Sequence, residues 1–147
     1  MPVQNRFLLD SGIVVRVLRG DVRAADLVDH LSQRGTVLTS AIVAFEVYRG
    51  CRDRADESAA RNFFQAYLAL AVDGDVALDA SRLFRSHSGI LSGEKSIPDT
   101  LIAATAVVDE AALVTLNTRQ FSRIQHPGLD LLLIDQDAAD WVAAVNQ

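Results

Sequence analysis

The sequence has a single cysteine, Cys51, which excludes intramolecular disulfides and cysteine-rich zinc sites. Three prolines and eight glycines are scattered over 147 residues, and no Pro-rich, Gly-rich or single-sign stretch marks a linker. Uncharged runs such as 100–108 fall far short of the ~20 apolar residues a membrane helix needs. The first six residues show no basic leader followed by an apolar segment, so no secretory signal is expected. Lysine is almost missing: Lys95 stands against thirteen arginines. Codon bias accounts for that imbalance without any function, whereas phosphate gripping would suit the planar guanidinium. Excess positive charge is lacking too, since the net charge of −5 is opposite to that of most nucleic-acid binders. An acidic chain can still act on a polynucleotide if cations neutralise its active site and its basic residues are grouped locally.

Half of the residues are apolar and 22% are charged, enough for a folded core and unlike an intrinsically disordered chain. The length and the lack of internal repeats predict one domain over 1–147, with a cytoplasmic location as the default. Phe7-Leu8-Leu9, ended by Asp10-Ser11-Gly12, has the unbroken apolar character of a strand buried on both faces. Helices are predicted over 13–18 and 23–34, the second stopped by Gly35. A second strand follows at 36–39, then a helix from Ser40 as N-cap to about Gly50. Helices over 57–71 and 80–91 flank a possible short strand at 76–78. Ser96-Ile97-Pro98-Asp99 opens a helix over 100–110, and strands at 112–116 and 131–134 complete the set. Strands alternating with helices imply parallel crossovers. The expected fold is therefore α/β: a three-layer α/β/α sandwich around a mainly parallel sheet of four to five strands. Trp141, in the C-terminal segment, is expected to pack into the core.

Ligands of such sheets bind beyond the carboxyl ends of the strands, which directs attention to polar residues that follow a strand. Asp10 does so, although an aspartate there also serves as a helix N-cap. Asp99 lies three residues after Ser96, the spacing of a capping box, at the head of a helix apolar on nearly every face. Glu46 is harder to explain by local structure. It shares a helical face with Ile42, Val43 and Gly50, and its other neighbours Ala44, Phe45 and Val47 are apolar. A carboxylate in such surroundings needs a compensating arginine or a cation. Asn117 follows the strand at 112–116 and could hold a water or a phosphate without adding charge, or simply make a turn. Ser11 and Thr115 are placed to hydrogen-bond the carboxylates. Asp10, Glu46 and Asp99 form an all-oxygen donor set, which Mg²⁺ or Mn²⁺ prefers.

These residues resemble a known family, the PIN-domain ribonucleases, specifically the VapC-like toxins of bacterial toxin–antitoxin pairs. The likeness is carried by Leu8-Leu9-Asp10-Ser11-Gly12, by Thr39-Ser40 through Phe45-Glu46-Val47-Tyr48-Arg49-Gly50, by Ile97-Pro98-Asp99-Thr100-Leu101-Ile102-Ala103-Ala104-Thr105-Ala106, and by Leu113-Val114-Thr115-Leu116-Asn117-Thr118-Arg119-Gln120-Phe121. The resemblance implies metal-dependent cleavage of RNA by a small, often dimeric enzyme that a cognate VapB-like antitoxin neutralises. It places Asp10, Glu46 and Asp99 on the metal and Asn117 at a fourth corner where family members bear Asp or Asn. Three charges rather than four should weaken a second metal site. Arg49, Arg52, Arg54, Arg61 and Arg119 are candidates for gripping RNA, with solvated helix surface as the plain alternative. His30, His87 and His126 lie outside every matching block, so no histidine is placed as a general base.

Two rival readings fit the residues less well. An aspartyl-phosphate-forming phosphatase would want a second aspartate two residues after Asp10, where Gly12 stands, and a Walker A lysine motif is missing as well. A catalytically inactive partner in an antitoxin or operator complex would have no reason to keep Asp10, Glu46 and Asp99 together.

Overall fold

The computed structural model describes residues 5–146. Its sheet contains β1 (Arg6–Leu9), β2 (Thr36–Ser40), β3 (Ala69–Leu70), β4 (Ala112–Thr115) and β5 (Asp130–Leu133), all pairings parallel, in the order β3-β2-β1-β4-β5. Successive residues of a strand point to opposite faces. Phe7, Leu8 and Leu9 are all completely buried, so both faces of β1 are covered by helices, as three layers require. The expected sandwich is what the chain forms, with five strands.

The helices are α1 (Ser11–Leu18), α2 (Val22–Arg34), α3 (Ala41–Arg49), α4 (Arg54–Ala66), α5 (Gly74–Ser86), α6 (Ile97–Val108), α7 (Thr118–Phe121) and α8 (Val142–Val145). Caps set most of their starts. Asp10, Asp21, Ser40, Asp53 and Asp73 each accept a backbone N–H from the first turn of the helix they precede. Gly35 ends α2 for a steric reason: a Cβ built there would lie 2.0 Å from the carbonyl oxygen of Asn5. Trp141 is 1% exposed, as expected of core packing, with the Arg23 guanidinium 4.6 Å from its ring centre.

Three local expectations are corrected. The helix predicted over 57–71 begins at Arg54 and ends at Ala66, because Tyr67 turns extended and lets Ala69–Leu70 pair with Thr39 and Ser40. Tertiary pairing overrides the local helical pattern there. The strand predicted at 76–78 lies inside α5 instead. Asp73 caps Val76 N–H at 3.0 Å and starts that helix at Gly74, six residues before the predicted start at 80. Ser96 does not make a capping box with Asp99. Its backbone is helical and a 3₁₀ turn (Glu94–Ser96) precedes it, so its hydroxyl reaches back to the Ser92 carbonyl at 3.1 Å.

The chain runs from β1 outward to β2 and β3, then returns to β4 on the other side of β1. The order of connections therefore reverses between β1 and β4. In open parallel sheets the crevice for a ligand opens at such a reversal, beyond the carboxyl ends of the two strands.

Candidate active site

Asp10 leaves β1 at that crevice and is tied to β4, its N–H donating to the Val114 carbonyl at 2.9 Å. The residue is 6% exposed. Its carboxylate receives the Ser11 backbone N–H at 2.8 Å and the Thr115 hydroxyl at 2.7 Å. Capping and site building thus coincide in one side chain. Burial raises its pKa, and the hydrogen bonds from Thr115 and Ser11 oppose that rise without cancelling it.

Asp99 sits in the first turn of α6, next to Pro98, and is half-buried. Burial first, then the charges of Asp10 and Glu46, push its pKa up to about 6. Two acids from β1 and α3 therefore act on a third from α6, and the sheet reversal brings the three predicted carboxylates into one field. Among the described residues, no three acidic, histidine or cysteine side chains converge tightly enough to form a ready-made metal cage. Like charges repel, which gives the three acids reason to stand apart.

Glu46 behaves as its apolar surroundings suggested. Its side chain is 20% exposed, and Oε1 is buried with no hydrogen-bond partner. Oε2 has only a loose contact, 4.0 Å from Arg49. A buried carboxylate oxygen without a donor is costly, and a cation is one of the few groups that repairs it. With that orphaned oxygen and only carboxylate and amide donors nearby, the residues fit a hard divalent cation such as Mg²⁺ or Mn²⁺.

Asn117 follows β4 and caps α7 in position, though its side chain makes no capping bond. Its backbone N–H donates to the Thr115 hydroxyl at 3.0 Å, the same hydroxyl that donates to Asp10. Its side-chain Nδ2 donates to Gln120 Oε1 at 2.6 Å. Sequence reasoning singled out Thr115 and Asn117 but missed Gln120, whose signal was its place three residues into the helix that Asn117 begins.

Beside Glu46, a cavity of about 500 Å³ opens between α1, α3 and α4, lined by Val15, Leu18, Arg19, Arg52 and Asp56 among others. Of the candidate arginines, Arg49 leans over the Phe45 ring at 5.6 Å as well as toward Glu46. Arg52 is bonded to Asp56 at 3.1 Å. Arg54, Arg61 and Arg119 are exposed. The histidines are engaged or placed elsewhere. His126 pairs with Asp79 at 3.0 Å, His87 bonds the Leu83 carbonyl at 3.0 Å, and His30 Nε2 is buried without a partner.

A PIN domain family model matches residues 7–127. Ribonuclease VapC19 of Mycobacterium tuberculosis is 37% identical over 115 residues, which span 78% of this chain and 90% of that protein. Among solved structures, VapBC2 from Rickettsia felis bound to a promoter DNA fragment matches with a TM-score of 0.74 at 23% identity, over 88% of this chain and 99% of that one. VapBC-1 from nontypeable Haemophilus influenzae matches with a TM-score of 0.70 at 19% identity, over 92% and 98%. At those identities the structural likeness speaks for the fold.

Proposed function

This chain belongs to the PIN-domain family, and from that premise we propose that it is a metal-dependent endoribonuclease toxin. In this reading its whole length works as one domain, a VapB-like antitoxin neutralises it, and it acts in the cytoplasm, alone as a homodimer or in complex with that antitoxin. The nuclease class is supported by the relative named a ribonuclease, and the antitoxin by the toxin–antitoxin complexes that share the fold. One observation carries the chemistry: Asp99 is held at about 6 by burial and by Asp10 and Glu46, with no positive side chain among the causes of its shift. Three acids grouped in that way want a cation from outside the chain.

The chain's own residues divide the work. Asp10, fixed by Ser11 and Thr115, offers a pre-oriented carboxylate. Asp99 and the orphaned oxygen of Glu46 complete three sides of the site, and Asn117 supplies a neutral fourth corner. Asp10, Glu46 and Asp99 would hold Mg²⁺ or Mn²⁺, which would supply activation of water and charge neutralisation for hydrolysis of a phosphodiester. Arg49 ends α3, Arg52 lies in the connection to α4, Arg54 begins α4 and Arg119 lies in α7, all on the exposed surface, where a guanidinium can grip an RNA phosphate. Of these, Arg49 is closest to the acids.

Antitoxin-free protein is expected to cut RNA with Mg²⁺ or Mn²⁺ and to stop on addition of EDTA. Inducing the chain should arrest growth, and Asp99→Asn should abolish the arrest while leaving a folded protein. Loss of an outer-shell partner of a metal already costs roughly 10–100-fold, so loss of a direct ligand should cost at least that in cleavage. Cleavage indifferent to EDTA, or full toxicity from the variant, would overturn the assignment.

A further inference from the structure

We propose that Gln120 is a positioning residue that sets which end of the Asn117 amide is offered to the acidic site. The inference rests on the metal reading above and concerns its fourth corner. Asn117 is the N-cap of α7 and Gln120 is the third residue of that helix, so the pair occupies the positions of a capping box. In a capping box the asparagine oxygen accepts the N–H of the third residue, and the glutamine side chain returns to the backbone N–H of the cap. Neither bond forms. The Asn117 N–H goes to the Thr115 hydroxyl, and its side chain turns to the Gln120 side chain instead.

The consequence is chemical. A carboxamide can serve a cation, or a water held by one, only through its oxygen, because the NH₂ group is purely a donor. At 2.6 Å from Gln120 Oε1, the Asn117 NH₂ is already spent. Asn117 Oδ1 accepts no hydrogen bond among the described residues, so it is left for a ligand. The Thr115 hydroxyl that takes the Asn117 backbone N–H also donates to Asp10, so the Asn117 backbone and the Asp10 carboxylate hang from one atom. Turning both amides over gives the opposite pairing, in which Gln120 donates to Asn117 Oδ1 and the oxygen is consumed. A divalent cation selects the first pairing. Glutamate at 120 would allow only that pairing, and methionine would enforce neither.

The test is calorimetric titration with Mn²⁺ alone, on wild type, Gln120→Met and Gln120→Glu, each also combined with Asn117→Ala. Gln120→Met should weaken Mn²⁺ binding roughly ten-fold, the lower range for an outer-shell partner. Gln120→Glu should bind at least as tightly as wild type. With Asn117→Ala present, the change to Met should have no further effect. Unaltered affinity in Gln120→Met, or the same loss with and without Asn117, overturns the proposal. If Gln120→Met does not fold, Gln120→Glu decides alone, and binding weaker than wild type overturns it. Intact Mn²⁺ binding with a silent Asn117→Ala overturns this inference but spares the three-carboxylate site. A wild-type protein that binds no Mn²⁺ overturns both.

Discussion

Two of the places where the fold tucks in acid side chains satisfy them in opposite ways. On α5, Asp79 meets His126 at 3.0 and 3.1 Å, with only 18% and 7% of the two side chains exposed. The partner is built into the chain, and the pair clasps α5 to the segment that leads into β5. Beyond β1 and β4, Asp10, Glu46 and Asp99 face one another, and the hydrogen bonds Asp10 receives do not cancel the effect of burial. The first arrangement is complete in the protein alone, as a structural contact should be. In the proposed function the second is completed by a cation from outside the chain. Burial of acids is thus no mark of function by itself; what sets this group apart is that Glu46 Oε1 is left without a donor.

Removing Thr115's hydroxyl is the sharpest way to probe the unanswered side. Thr115→Val deletes a bond to Asp10 and an acceptor for Asn117 while keeping the shape. Metal affinity or cleavage should fall roughly 10–100-fold, read by Mn²⁺ titration and RNA cleavage. Unchanged values would remove Thr115 from the site.

On the answered side, His126→Ala should act in the reverse sense. Unpairing the clasp should cost about 1–3 kcal/mol of stability, as for a buried hydrogen-bond partner. Chemical denaturation reads that cost, and Mn²⁺ affinity should not move. A variant that kept its stability but lost metal binding would erase the distinction between the two regions.

The smallest effect is the pH dependence of the metal-free protein. Burial and the charges of Asp10 and Glu46 raise the Asp99 pKa to about 6 in the folded chain, from an ordinary 3.8. Between those values the folded state holds a proton that the unfolded chain has released, so stability falls as pH rises, and the loss is complete above about 6. Asp10, also raised, adds to the same trend. Metal-free melting temperature should drop by a few degrees from pH 4 to pH 7, and Asp99→Asn should flatten part of that slope. Saturating Mn²⁺ at 100 times its Kd should return about 2.7 kcal/mol at neutral pH. A slope of the opposite sign in wild type would mean that Asp99 is not crowded by its neighbours.

Much of this was legible in the residues. Phe7-Leu8-Leu9 declared a strand buried on both faces, and Ser40 declared its cap, because both signals are local. Asp10 and Asp99 were each explicable as caps. Asp10 is one, but the capping box of Ser96 and Asp99 never forms. For Glu46 the apolar neighbours predicted a partly desolvated carboxylate, and its Oε1 is buried without a hydrogen-bond partner. The region from 54 to 91 was read less well. There β3 has only two residues and exists through its pairing with β2, which no local pattern reveals, and the caps Asp53 and Asp73 shift both helix starts. Gln120 was overlooked for a related reason: its place in the helix that Asn117 begins is legible, but its bond to the Asn117 side chain depends on what the fold sets opposite it.

The most direct measurement is anomalous diffraction from crystals of the antitoxin-free protein soaked in Mn²⁺. The result expected is a peak among the carboxylates of Asp10, Glu46 and Asp99, with Glu46 Oε1 turned toward it and no peak in Asp99→Asn crystals. Saturated crystals with no peak at those three residues, or with Mn²⁺ bound at Asp79 and His126 instead, would contradict the reading of the acidic cluster as a metal site.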